Sequence, residues 1–472
     1  MTERRIGPRL LPFAAATLLA GCMSLAPHYD RPPAPVPARF AGDTAAAPQA
    51  GTPASEIAWQ QYFGDARLKR LIEIALANNR DLRIAALNIE QARAQLGLRQ
   101  ADQWPTVGVG ANLTRQPSTT PGVRGNTSLY TVGLAVTAYE LDLFGRLRNL
   151  TDAAAAQLLS TEESRKTVQL SLVASVANTY LALVADEDLL RVTRDALVTR
   201  EESYRLTRLK FEHGASSEID FRLAESLLEG ARVALAQQTR QRLLDENALA
   251  LLLGQPLPPD LPPGLQVTDQ RMVVDLPAGV PSEVLVRRPD VRAAEEQLIA
   301  AHANIGAARA AFFPRITLTG TAGTASTSLS GLFKSGSFAW TFAPQALLPI
   351  FDAGRNESNL ALARANRDIA LAQYEKAIQT AFREVSDALA GRATFADQVR
   401  AQQAQANAEA VRTRLAQLRY DNGAASYLDV LDAQRSLFAA QQAVVQTQTL
   451  QAQTLVNLYK VLGGGWNDAP PP

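Results

Sequence analysis

The sequence predicts an α+β membrane protein made of one unit written twice, each unit a hairpin of β-strands joined to a hairpin of long α-helices. Three observations carry this. Landmarks recur at a fixed offset of 209 residues, each copy holds two alternating apolar–polar runs, and each copy then runs for some 65 residues with almost no proline or glycine.

The repeat sets the frame. Asp81 matches Asp290, Arg83 matches Arg292 and Ala85 matches Ala294. Gly97 and Pro105 match Gly306 and Pro314, and Gly145-Arg146 matches Gly354-Arg355. Gly214-Ala215, Asp220 and Leu253-Gly254 match Gly423-Ala424, Asp429 and Leu462-Gly463. One register held across helix, strand and turn signals defines repeats at 81–254 and 290–463. The Pro-rich start at Gln255 marks a linker over 255–289, and 464–472 reads as a tail.

Each unit opens with a helix that ends just before Pro105 or Pro314. Then Val107, Val109, Ala111 and Leu113 alternate with Thr106, Gly108, Gly110, Asn112 and Thr114. Ile316 and Leu318 repeat the phase against Thr317 and Thr319. Such alternation makes a strand with one apolar and one polar face. A Gly/Ser/Thr/Pro-rich loop is expected from Gln116 to Ser128, followed by a second strand through Tyr130, Val132, Leu134 and Val136. In the second copy the bulky Phe338, Trp340 and Phe342 fall on the opposite phase, and Pro344 is the expected place of a register change. Aromatics near a strand end suit the belt of a membrane barrel; the alternative is a soluble hairpin.

From Arg146 to about Phe211 there is no proline or glycine, and Val168, Leu172, Val176, Tyr180, Leu183 and Leu190 recur at helical spacing. At 1.5 Å rise per residue this is a rod of about 100 Å. Arg355 to Tyr420 repeats it, interrupted by Gly391. Each rod ends in a turn, Phe211 to Ser217 or Tyr420 to Ser426, in which glycine stops the helix and serine caps the next. A returning helix runs to about Leu253 or Leu462.

Composition narrows the rest. With 47 basic and 46 acidic residues the net charge is +1, so no nucleic-acid footprint is expected. Cys22 is the only cysteine, which excludes a disulfide within the chain. His28, His213 and His302 lie far apart, and neither a nucleophile–base set nor a metal-ligand spacing appears; no enzyme, metal or cofactor is expected. Arg4, Arg5 and Arg9 precede an apolar stretch from Leu10 to Leu19, an export signal over 1–21. Leu19-Ala20-Gly21-Cys22 resembles a bacterial lipobox, which implies a covalent lipid on Cys22 (diacylglycerol and palmitate). The alternative, an ordinary signal with an incidental cysteine, is the weaker one, because the only cysteine stands where the pattern needs it. Met23 follows rather than Asp, which by the usual sorting rule resembles outer-membrane delivery. No later transmembrane helix is expected, so a span must be a barrel.

Four strands cannot close a barrel, and open edges are not tolerated in lipid. Several chains must therefore each donate four. The rods pose the same demand, since apolar stripes alternate with faces rich in glutamine, including Gln398, Gln402, Gln403, Gln405 and Gln417. A ring of helices around a wet lumen satisfies both faces. The residues thus lead to an oligomeric tube.

Four stretches carry a resemblance: Glu140 to Arg146, Ala308 to Pro314, Leu431 to Phe438 and Asn457 to Trp466. Together they are similar to the TolC family of outer-membrane efflux proteins, in particular its lipoprotein branch typified by OprM, over essentially the whole mature chain. The resemblance implies a homotrimer with a 12-stranded β-barrel in the outer-membrane lipid, continuing into a periplasmic α-helical barrel with a mixed equatorial belt. Residues 22–80 then form the lipidated segment and the start of that belt. It also implies a passive exit duct for drugs and other small toxic compounds, working with a periplasmic adaptor protein and an inner-membrane RND transporter. The tips His213, Gly214, Ala215 and Ser216, with Asn422, Gly423, Ala424 and Ala425, would meet the adaptor; the alternative is a plain structural turn. Leu428, Asp432 and Arg435, on one helix face, with Arg419 and Tyr420 before the turn, match positions that close the lumen. The alternative there is an exposed ion pair, and Leu223 and Ser226 at the matching first-copy positions mildly favour gating. Heavy-metal efflux or type I protein secretion could use the same fold, though no Met or His cluster lines the predicted lumen. A lipoprotein tether is disfavoured, since it needs no strands.

Overall fold

The structure, a computed structural model, describes residues 24–40, 52–117, 125–270, 272, 276 and 287–466. Cys22, the export signal and the tail beyond Trp466 lie outside the described residues. The labelled elements run in the order α1 (Ala66–Asn78), α2 (Arg80–Ala101), β1 (Val107–Pro117), β2 (Asn126–Leu141), α3 (Arg146–Glu212) and α4 (Glu218–Leu253). Then come α5 (Pro289–Ala310), β3 (Arg315–Ser326), β4 (Phe338–Leu347), α6 (Arg355–Asp421) and α7 (Tyr427–Val461). The helices α3 and α6 are each 67 residues long, as the absence of breakers dictates. Glycine at 391 does not stop α6; it leaves room for α7, since a Cβ there would meet Thr454 Cγ2 at 2.8 Å. Contacts divide the chain into two units, one holding the sheet and the other the helical hairpins.

The first unit spans the residues up to Pro33, Asn88–Glu162 and Ala293–Glu375. Its four strands pair antiparallel in the order β1-β2-β3-β4. The first hairpin loop is shorter than expected: Gln116 and Pro117 belong to β1, and Asn126 to Ser128 to β2. The register change falls elsewhere than at Pro344, which pairs in step with Leu318. It lies on β2 between Val136 and Tyr139, where Ala138 takes a φ of 53° and one residue is left over. Proline is accepted on a strand that is an edge within the chain; a surplus residue has to bulge.

Register also decides the phase of the aromatics. Val107 faces Val136, whereas Ile316, its repeat mate, faces Ala346, one place beyond Gln345, the mate of Val136. A shift of one residue moves a strand's side chains to the other face. Val109, Leu134, Ala322 and Trp340 therefore form one row across the sheet, and Val107, Val136, Gly320 and Phe342 the next. Phe338, Trp340 and Phe342 thus join the apolar face, and they are 62–71 % exposed. The other face carries small residues, as in the row Gly110, Gly133, Gly323, Ala339. At the foot of the sheet Glu140 accepts from Arg146 Nε at 2.7 Å and Arg315 Nε at 2.6 Å, which accounts for the Glu140 to Arg146 stretch.

The segment after residue 23 is strapped to this unit. Ser24 donates to Asn149 Oδ1 at 2.7 Å, and Arg309 donates to the Leu25 carbonyl at 3.0 Å. Arg31 grips Glu295 with two bonds of 2.6 and 2.8 Å, joined by the Tyr29 hydroxyl at 2.9 Å. A side chain at Gly306 would strike the Ala26 nitrogen at 2.7 Å, so glycine is what lets the strap lie down.

The second unit spans Ala34–Leu87, Glu163–Arg292 and the residues from Lys376 onward. Its core joins Trp59, Tyr62, Phe63, Leu71 and Ile72 to α3, α4 and α7. Tyr62 stacks on Tyr459 with centroids 4.0 Å apart, and the two hydroxyls reach the carbonyls of Leu455 and Ile57 at 2.7 and 2.6 Å. One window of α3 is long and apolar enough to cross a bilayer, but 67 % of it is buried. Leu172, Val176, Tyr180 and Leu183 in α3 are in the core, so this is the apolar stripe of a packed helix.

Candidate functional site: the two helical turns and the Asp432 cluster

The two turns share one backbone. In the first, Gly214 N bonds the Phe211 carbonyl at 3.0 Å and Ala215 N the Lys210 carbonyl at 2.7 Å. In the second, Gly423 N bonds Tyr420 at 2.9 Å and Ala424 N bonds Arg419 at 2.8 Å. Gly214 and Gly423 have φ of 73° and 72°, the left-handed conformation that a Cβ penalises. Ser217 Oγ accepts from Asp220 N at 3.1 Å to start α4, and Ser426 N donates to Asp429 Oδ2 at 3.1 Å at the start of α7. His213, Gly214, Ala215, Asn422, Gly423 and Ala424 are exposed, and Ser216 and Ala425 are half-buried. The His213 ring spends its Nδ1 on the Leu209 carbonyl at 2.9 Å.

The residues flanking the turns differ. Beside the first, Phe221 stacks between Phe211 and Tyr204, with centroids 5.2 and 5.6 Å away. Beside the second, Asp432 is held from two sides. Arg435 Nη2 donates to its Oδ1 at 2.7 Å, and Arg412 Nη2 reaches its Oδ2 from α6. Arg412 also binds Glu409 at 3.0 Å. The hydrogen bond from Arg412, followed by the charge of Arg435, keeps the Asp432 carboxyl below its ordinary range. Leu428, one helical turn earlier, is 53 % exposed.

Arg419 and Tyr420 do not join this cluster. Arg419 donates to the Ala424 carbonyl at 3.2 Å and so braces its own turn. Tyr420 takes a hydrogen bond from Lys210 and lies 4.9 Å from the ring of Tyr427. Tyr427 in turn lies against the hydroxyls of Ser203 and Thr207, and burial raises its phenol. Arg200 is buried, bonded to the Leu227 carbonyl at 3.1 Å and placed over the Phe438 ring at 5.0 Å. Arg200, Ser203, Thr207 and Lys210 follow spacings of three and four, so one stripe of α3 holds the second hairpin to the first.

Sequence reasoning missed Arg412 and Lys210. Arg412 had a signal: in an antiparallel helix pair, residues equidistant from the turn face each other, and Arg412 and Asp432 stand ten residues either side of Asn422. Lys210 had none, since its partner belongs to the other repeat.

A sheet with an exposed apolar face, joined to two long helical hairpins, defines a membrane duct protein. Comparison with known proteins agrees. The outer membrane efflux protein family matches residues 71–255 and again 280–464, two stretches whose starts are 209 residues apart. The chain is 47 % identical over 463 residues to the probable efflux pump outer membrane protein TtgC of Pseudomonas putida, covering 97 % of this chain and 96 % of that one. Among solved structures, a membrane protein from Pseudomonas aeruginosa superposes with a TM-score of 0.86 at 43 % identity, over 94 % of this chain and 98 % of that one. The open state of the Neisseria gonorrhoeae MtrE outer membrane channel gives 0.85 at 41 %, over 94 % and 99 %. The chain belongs to the outer membrane efflux protein family. It is an outer-membrane efflux channel that extends into the periplasm.

Proposed function

We propose that the chain is the exit duct of a tripartite RND-type pump that expels drugs and other small toxic compounds. Three copies each give four strands to a 12-stranded barrel, and their helical hairpins line a periplasmic tube. One observation carries the assembly: among the described residues, the four-stranded sheet has two unpaired edges and an exposed apolar face. Lipid on Cys22 tethers the strapped N-terminal segment to the membrane. The two turns form the edge that meets the adaptor, since they are exposed and built alike. Asp432, held by Arg412 and Arg435, with Leu428 on the same face, keeps the narrow end shut; Arg419 and Tyr420 brace it. Adaptor contact opens the duct by drawing the arginines away.

Deletion of the gene tests the cargo. Dye and antibiotics are expected to accumulate in the cells and to be cleared again when the wild type is restored. Unchanged accumulation would reject drug export and bring metal efflux or protein secretion forward.

A further inference from the structure

Part-way along the first helical hairpin, α3 and α4 bring two carboxyls together. Asp186 of α3 is 5 % exposed, and Asp245 of α4 is half-buried. Gln238, also on α4, donates its Nε2 to Asp186 Oδ1 at 2.6 Å. The other oxygen, Oδ2, is shut off from water and meets no N–H donor among the described residues. What Asp186 meets instead is the carboxyl of Asp245, within hydrogen-bonding range.

Two carboxylates at that range only repel, and a buried ionised oxygen without a donor is costly. A hydrogen bond between two carboxyls needs one proton, carried by one oxygen and accepted by the other. The proton belongs on Asp186, the more buried of the two. Asp245 is the acceptor, and Gln241 Nε2 donates to its Oδ2 at 3.3 Å. Burial, and after it the bond to Asp245 and the charge there, push the Asp186 carboxyl up to about 7.

The charges around the pair are engaged elsewhere. On α3, Glu187 pairs with Arg242 at 3.8 Å and Asp188 with Arg191 at 2.7 Å. On α4, Arg242 pulls Asp186 the other way but is shared with Glu246 at 3.0 Å. α7 carries no charged residue between Arg435 and Lys460. On α6 at this level, Arg392 is spent on the Leu276 carbonyl at 3.0 Å and Asp397 on Arg400 at 2.6 Å.

The repeat supplies the contrast. At the 209-residue offset Asp186, Gln238 and Asp245 become Phe395, Thr447 and Thr454. A Cβ on Gly391 would lie 3.4 Å from the Phe395 ring and 2.8 Å from the Thr454 methyl, so ring and methyl fill that place in the second hairpin. None of the three titrates, and the carboxyl pair belongs to the first hairpin rather than to the duplicated scaffold.

We propose that Asp186 and Asp245 share one proton and form a latch between α3 and α4, which holds the first hairpin tight while the proton is in place and yields when it leaves. The step is a proton transfer alone: the proton passes from Asp186 to water, and the two carboxylates left behind repel. In the closed hairpin the pair keeps its proton up to about pH 7, whereas in the opened one each carboxyl ionises at about 3.9. The latch is therefore whole below about 3.9 and is lost as pH rises to about 7.

The test compares the full-length protein in detergent with Asp186→Asn, whose amide donates to Asp245 at any pH and still accepts from Gln238. Amide exchange over residues 183–190 and 241–249 is read as the ratio of wild type to variant at each pH from about 5 to 9. That ratio is expected to climb by up to about tenfold per pH unit as far as about 7 and then to level. Around Phe395 and Thr454 it should stay at one. Infrared spectra at about pH 6 should show a protonated-carboxyl band in the wild type that the variant lacks. A ratio that does not change with pH overturns the latch, and a missing band overturns the shared proton. A ratio that shifts when calcium or magnesium is added puts a cation between the carboxylates and overturns the proton too. Should Asp186→Asn fail to fold, Asp245→Asn takes its place, since its amide is likewise a permanent donor.

Discussion

The two helical turns have one backbone and two chemistries. Both end a 67-residue helix on a left-handed glycine and restart under a serine. Around the first, Tyr204, Phe211 and Phe221 stack into an apolar clasp. At the matching places around the second stand Thr413, Tyr420 and Val430, while Arg412 and Asp432 replace Ser203 and Leu223. An aromatic stack holds regardless of pH or salt. An exposed ion cluster holds weakly and lets go when a competing charge arrives. A fixed hairpin wants the first and a moving one the second, which is the difference the proposed gate at Asp432 would use.

The largest energetic effect is expected where the clasp is broken. Phe221→Ala should loosen the first turn by about 2 kcal/mol, from lost burial and ring stacking. Hydrogen exchange should quicken from Tyr204 to Phe221 and stay unchanged around Asp432. Equal quickening at both turns would mean that the two hairpins open as one.

The shared backbone comes next. Gly214→Ala and Gly423→Ala each force a Cβ into the left-handed region at about 1–2 kcal/mol. Local exchange rates should rise by the same factor at both turns; unequal factors would show that the surroundings, and not the backbone, set the cost.

Smaller in energy is the ion cluster. Exposed pairs contribute about 0.2–1 kcal/mol each, so Asp432→Asn should hardly alter thermal stability. Its leak conductance in planar bilayers should nevertheless rise, as it should for Asp432→Ala with Arg435→Ala, and Leu223→Ala in the first hairpin should leave conductance as it was. Acid gives the same readout without mutation. A carboxyl held below its ordinary value contributes fully above the unfolded value of about 3.9, and that contribution is lost as pH falls through the lower folded one. Leak should therefore stay flat from pH 7 to about 4 and rise below that, in the wild type but not in Asp432→Asn. The smallest effect belongs to His213→Ala, within about 0.5 kcal/mol and without change in conductance, because the ring only caps its own helix.

Much of this was legible in the residues. The rods, turns and ion-pair spacing followed from breakers and periodicity, and the structure moves the ends of the rods by only a residue or two, whereas β3 runs on to Ser326, well past the alternation read as far as Thr319. The aromatic strand was harder. Phe338, Trp340 and Phe342 read as out of phase because phase was counted along the chain, while the face is set by which residue of β3 stands opposite. Arg412 was readable in principle by symmetry about the turn. Arg200 with Phe438, and Lys210 with Tyr420, were not, since each joins residues roughly 200 positions or more apart.

By itself, the sequence determined the number and kind of elements, because helix and strand periods, glycine stops and serine caps act over a few residues. It also carries the argument behind the proposed assembly, that four strands are too few to close a barrel. Only the tertiary structure decided where the surplus residue of β2 is shed, which face the aromatics join, and which arginine reaches Asp432. Those outcomes depend on the pairing of distant segments, where one residue of register outweighs every local preference.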